Sequence, residues 1–268
     1  MTRFGRWLAG HVVLVVGLLV LLYLCVPVLV VILMSFNDPA SRNSYTFDGF
    51  TLDNWLNICD PYQLCSSVSL SLRIGLLATL AATVLGTLMA FAMVRHRFRG
   101  RSAANLLVFL PMATPEIVMG SSLLALFVNA GFAAQLGFWT ILVAHVLFCL
   151  SFVVVTVKAR LAGLDPALEQ AAADLYANEW QTFWRVSFPL VFPGILAAAL
   201  LSFSLSFDDF IITNLNAGQE VTFPMFVWGA AQRGIPPQIN VIGTIMFVLA
   251  LTAVLLGELG SRRRAARR

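Results

Sequence analysis

Residues 165–195 read D-P-A-L-E-Q-A-A-A-D-L-Y-A-N-E-W-Q-T-F-W-R-V-S-F-P-L-V-F-P-G-I, a polar, helix-prone insert in a chain that is otherwise strongly apolar. Asp165 is a good N-cap, and Pro166 falls at the first helical position, where a missing N–H costs nothing. The alanine run that follows favours helix. Leu168, Ala171, Ala172 and Leu175 recur at helical spacing on one face, while Glu169, Asp174 and Glu179 supply carboxylates. The spacing predicts one helix over 165–184, with Pro189 and Pro193 marking a new element beyond it. A short amphipathic helix between two apolar spans suits docking to a partner better than it suits chemistry.

The rest of the chain sets the context. Hydrophobic residues make up 59% and charged residues 11% of it, and the mean hydropathy is +0.87, outside the range of soluble domains. Apolar runs long enough to cross a bilayer fall at about 11–34, 70–94, 106–128, 140–157, 188–215 and 241–259. The first is too long for a cleaved leader and reads as a retained signal anchor. With six spans, Arg3, Arg6, Arg95, Arg97, Arg99, Arg101, Lys158, Arg160 and the basic tail over 261–268 all fall on one side, together with 165–184. Only Arg42, Arg73 and Arg233 fall on the other. The positive-inside rule then puts both termini in the cytosol. The pI of about 9.2 reflects this topology and anionic headgroups. No basic surface interleaved with aromatics points to nucleic acid. The organisation is a first helix and outer loop over 1–65, a core over 66–260 carrying the cytosolic helix, and the tail.

The outer loop over 35–69 is locally acidic, with Asp38, Asp48, Asp53 and Asp60, and Trp55 in it suits a membrane-interface anchor. Cys59 and Cys65 share this loop. In an oxidising compartment they are a candidate disulfide, and two free thiols fit the sequence equally well. The third run carries L-P-M-A-T-P-E, where Pro111 and Pro115 break the helix at depth, tolerated only where protein or a water-filled cavity covers the freed carbonyls. Ten residues of helix beyond Leu106 place Glu116 roughly 15 Å deep, near the midplane. The fifth run carries S-F-D-D-F; on a helix Asp208 and Asp209 point about 100° apart and cannot chelate as a pair. Phe223–Ala231 is apolar but too short to cross.

A carboxylate inside a span faces a bundle interior or water, so Glu116, Asp208 and Asp209 are candidate pathway residues. Each has a plainer reading as well, a local structural partner for Glu116 and a position near the headgroups for the Asp pair. His145 is a lone histidine in the fourth run and reads as an interhelical hydrogen bond. No nucleophile–base set gathers at one depth, metal-ligand spacing is absent, and there is no G-x-x-x-x-G-K-[ST] phosphate loop. If ATP is used, another polypeptide binds it and its Mg²⁺.

The 165–195 segment resembles the EAA coupling loop of permease subunits in binding-protein-dependent ABC importers. Glu169, Ala171, Ala172, Asp174, Leu175, Ala177 and Pro189 follow that pattern, and Glu179 matches an acid in the family's coupling helix. Gln170 departs from it where a second acid is common, and Tyr176 stands where a glycine lets the loop turn tightly. Beyond the loop, Y-L-C-V-P, S-F-N, P-E-I-V-M and S-F-D-D resemble the second membrane subunit of spermidine/putrescine permeases, strongest over 66–258. The resemblance implies an all-α membrane protein with the type I ABC importer permease fold: six transmembrane helices and a cytosolic coupling helix in a bacterial plasma (inner) membrane. It implies a pathway through Glu116, Ser206, Asp208 and Asp209, with Trp55 and Tyr23 as aromatic positions. It also implies a second permease subunit, a cytosolic ATPase dimer and an extracytoplasmic solute-binding protein, and no cofactor on this chain. Carboxylates and aromatic faces suit a polyammonium solute. The competing readings are a permease for another small solute, such as an opine or aminophosphonate, and a stand-alone channel or secondary transporter.

Overall fold

A computed structural model describes residues 3–41 and 46–265; Arg42, Arg267 and Arg268, which the charge count used, lie outside the described residues. Among the described residues the chain is helical, and its only extended pairing is an isolated bridge between Asn37 and Phe50. Twelve α-helices run in order: α1 Arg3–Met34, α2 Asp53–Leu56, α3 Leu64–Arg95, α4 Arg101–Ala113, α5 Glu116–Asn129, α6 Phe138–Ala162, α7 Ala167–Asp174, α8 Glu179–Thr182, α9 Phe188–Asp208, α10 Ile211–Asn216, α11 Phe223–Arg233 and α12 Gln238–Ala265. Five stretches are long and apolar enough to cross a membrane. The pair α4 and α5, bent by 109° at Thr114–Pro115, makes a sixth if counted as one span.

The residues form two compact units, 1–65 with 227–268 and 66–226. In the first, α12 packs on α1, where Gly243 lets Val31 approach. The loop after α1 is organised by two buried asparagines. Asn37 Oδ1 accepts from the Asp48 N–H at 2.8 Å, and Asn54 Nδ2 donates to the Asn37 and Ser35 carbonyls at 2.8 and 3.3 Å. Phe36 stacks between Phe50 and Trp55, and a disulfide joins Cys59 to Cys65.

In the second unit α6 is the hub. It is buried along most of its length and packs chiefly on α9, with a core of Ala144, Phe148, Val153, Val157, Val191, Ile195 and their neighbours. Helix α3 turns small residues toward these helices. A Cβ on Gly86 would lie 2.7 Å from Val153, and one on Gly75 would lie 3.2 Å from Phe203, so the glycines permit backbone approach. Helix α10 packs on α5 in the same way across Gly120, whose carbonyl accepts from Asn216 Nδ2 at 3.2 Å.

Two sequence expectations are corrected here. Only Pro115 breaks the third span. Thr114 before it is extended, as a residue preceding proline prefers to be, while Pro111 sits inside α4. Because α5 leaves at a steep angle, the straight-helix count that placed Glu116 at the midplane does not carry past Ala113. The fifth span also differs: it runs without interruption from Glu179 to Asp208, through Pro189 and Pro193, and ends there rather than at Leu215. A π-helical turn over Phe183–Ser187 precedes Pro189 and widens the helix where the proline ring would otherwise crowd the Arg185 carbonyl.

Candidate coupling segment and acidic site

The predicted single helix over 165–184 is two pieces. Asp165 caps the first as expected, its Oδ1 accepting from the Ala167 N–H at 2.9 Å. Helix α7 then stops at Asp174, because Tyr176 adopts the left-handed conformation with φ 59°. Its N–H donates to the Ala173 carbonyl at 2.9 Å, and the Ala177 N–H reaches back to the Ala172 carbonyl at 3.0 Å. That pair of bonds is the Schellman cap, and Ala172 and Ala177 are the half-buried small residues that close it. Asn178 starts the second piece: its Oδ1 accepts from the Gln181 N–H at 2.8 Å, and its own N–H donates to Gln181 Oε1 at 3.1 Å. Helix α8, which begins with Glu179, is therefore the entry turn of the fifth span. The loop helix proper is α7 alone.

The segment shows one apolar face to solvent. Leu168 and Ala171 are exposed, Leu175 is 82% and Tyr176 97% exposed, and Asp174, Glu179 and Trp180 stand clear beside them. Glu169 does not. Its Oε1 accepts from Arg95 Nη2 and from the Ser187 hydroxyl, each at 2.5 Å, so its carboxylate ties the segment inward. Arg95, counted from the sequence only as a topology charge, is the residue this reading missed. Its partner lies 74 positions away, and no local pattern pairs them.

Among the pathway candidates, Glu116 is exposed at the first turn of α5, where a carboxylate also suits the helix dipole. It lies within electrostatic reach of Asp209 and Asp208, so the three make one acidic group. The Asp pair separates because the helix ends between them, not because of a 100° step along it. Asp208 closes α9 and is exposed, whereas Asp209 is extended and buried. Asp209 caps α10, accepting from the Thr213 N–H and hydroxyl at 2.8 Å each and from the Ile212 N–H at 3.4 Å. Its Oδ2 also lies 3.4 Å from Nε2 of His145. His145 in turn contacts the Ser206 hydroxyl at 2.7 Å and Thr213 Oγ1 at 2.8 Å. Ser206 and Asp209 thus have their polar atoms engaged within the chain, and Glu116 and Asp208 present exposed carboxylates. Trp55 and Tyr23 belong to the other unit. Trp55 is half-buried against Phe36, and Tyr23 stands exposed on α1.

A multi-span helical chain with a short loop helix pinned to the end of one span and leading into the next has the build of a transporter's membrane subunit. The chain belongs to the family of binding-protein-dependent transport system inner membrane components, whose family model matches residues 82–262. It is a permease component of an ABC importer. Among curated relatives, it is 36% identical over 242 residues to the spermidine/putrescine transport system permease protein PotC of Haemophilus influenzae, covering 90% of this chain and 93% of that one. It is 35% identical over 238 residues to the putrescine transport system permease protein PotI of Escherichia coli K12, covering 87% and 84%. Among solved structures, a bacterial alginate ABC transporter in complex with its pentasaccharide-bound periplasmic protein matches with a TM-score of 0.69 at 19% identity over 98% of both chains. An amino acid ABC transporter matches with a TM-score of 0.56 at 19% identity over 80% of this chain and all of that one. At such identities these two speak for the type I permease fold alone.

Proposed function

We propose that this permease forms half of the translocation pathway for a polyamine such as spermidine or putrescine. It works beside a second permease subunit, receives solute from an extracytoplasmic binding protein, and is driven by a cytosolic ATPase dimer that binds ATP and Mg²⁺. Both termini lie in the cytosol. The observation that carries the substrate is the match, over nine-tenths of the chain, to permeases named for spermidine and putrescine. The exposed carboxylates of Glu116 and Asp208 support it, because an ammonium group leaving water needs acceptors to replace its hydration. Closure of the ATPase reaches the spans through α7 and the α8–α9 helix, which enters the membrane directly from the docking segment.

Uptake into proteoliposomes holding the assembled transporter tests the substrate. Neutralising one carboxylate should weaken spermidine uptake by about ten- to a hundredfold, since a charge-assisted hydrogen bond contributes about 1.5–3 kcal/mol. Glu116→Gln and Asp208→Asn keep size and isolate charge. The loss should be larger for spermidine than for putrescine and absent for a neutral solute that the carrier accepts. Equal loss for every solute would leave these acids a structural role and remove the cationic pathway.

A further inference from the structure

Four arginines, Arg95, Arg97, Arg99 and Arg101, lie between the second and third spans, and counting charge treats them alike. Their surroundings differ. Arg95 ends α3, and its guanidinium meets the Glu169 carboxylate at 2.5 Å with each side chain only about a quarter exposed, at 26% and 28%. Among the described residues no ion pair joins Arg97, Arg99 or Arg101 to a carboxylate. The oxygen that meets Arg95 also accepts the Ser187 hydroxyl. One carboxylate oxygen therefore joins three pieces: the end of α3, the loop helix α7, and the π-helical turn leading into α9.

Apart from this bond, α7 packs chiefly on the π-helical turn and α8. It has eight residues and none is buried. A helix that short is marginal on its own, and its Schellman cap orders the end of the helix without anchoring it to the spans. We propose that Arg95 is a positioning residue for the coupling segment. Through Glu169 it holds α7 on the end of α3, so that Leu168, Ala171, Leu175 and Tyr176 meet the ATPase at a fixed height and angle. This rests on the coupling reading above. The arrangement also gives Glu169 an inward task, distinct from that of the exposed residues beside it.

The test uses the assembled transporter in proteoliposomes with two readouts, amide hydrogen exchange over 168–177 and the ratio of substrate-stimulated to basal ATP hydrolysis. Arg95→Ala should speed exchange in α7 by about three- to tenfold and lower the ratio by a similar factor, the range for a charge-assisted bond discounted for partial exposure. Arg95→Lys should keep most of both, and the swap Arg95→Glu with Glu169→Arg should recover part of what either change loses alone. Arg97→Ala should leave both readouts as they are. Unchanged exchange in Arg95→Ala, an equal effect in Arg97→Ala, or faster exchange with undiminished stimulation would each overturn the proposal. Ala171→Arg separates this from the reading beneath it, because it leaves the Arg95–Glu169 pair intact. Normal stimulation in that variant would sink the coupling reading itself. Lost stimulation there, with a normal ratio in Arg95→Ala, would sink only the role of Arg95.

Discussion

Tyr176 occupies a backbone position built for glycine. Its φ of 59° lies in the left-handed region, which costs a residue bearing a Cβ about 1–2 kcal/mol. Both bonds of the Schellman cap form nonetheless, so the turn that glycine would allow is kept with a tyrosine in it. Within the chain the side chain gives nothing back, being 97% exposed. Tyr176→Gly should therefore slow amide exchange at the end of α7, corresponding to about 1 kcal/mol of local stabilisation. It should also lower substrate-stimulated ATP hydrolysis, because the phenol ring is lost from the docking face. Relief of the backbone with undiminished stimulation would mean that the ring plays no part in docking. The resemblance to the coupling loop placed a turn at this residue, but the alanine run before it and the helix-prone residues after it masked the break, because propensity carries no sign of φ.

At the scale of elements, α6, α9 and α10 are joined by one buried polar network. Ser206 and Asp209 flank the end of α9, Thr213 lies in α10, and His145 reaches all three from α6. Asp209→Ala would leave the buried Thr213 N–H without its acceptor and take the carboxylate from beside His145, at about 1–3 kcal/mol for the backbone bond left unmade. Thermal unfolding of the purified subunit in detergent should shift down in Asp209→Ala and stay close to wild type in Asp208→Asn. The reverse order would contradict the division between a structural and an exposed aspartate. Five of the spans were legible because long apolar runs leave little ambiguity, and His145 was read correctly as an interhelical bond. The division of the Asp pair was not read, although Asp209 ahead of I-I-T-N carries an N-cap signal, because the apolar run continued through it and hid the end of α9. Of the two prolines in the third span, only Pro115 acts as a break. The Arg95–Glu169 pair could not be read at all, since its members meet only once α3 and α7 are in place.

For the whole molecule, the apolar residues are distributed as a membrane subunit requires. The Gly10–Met34 stretch of α1 has no buried residue and the highest hydropathy of any span, so lipid or another membrane chain must cover it. The core lies instead in the second unit, around α6, and the two features proposed to carry function sit at separate places within it. Glu116 and Asp208 form an acidic group where α5 meets the α9–α10 break, while α7 and Tyr176 lie on the loop that leads into α9. In the proposed mechanism, the second place acts on the first through the helix between them. The docking face is best probed at Ala171, because Ala172 is half-buried beside the Schellman cap and a large residue there would also disturb the turn. Ala171 is exposed on the same face, and an arginine there adds bulk and charge without touching the cap or Glu169. The most direct test is substrate-stimulated ATP hydrolysis by the transporter assembled with Ala171→Arg in proteoliposomes, alongside confirmation that the subunit inserts. We predict that stimulation by binding protein loaded with spermidine is lost while basal hydrolysis persists; stimulation at the wild-type level would contradict the coupling of this permease to its ATPase through residues 165–184.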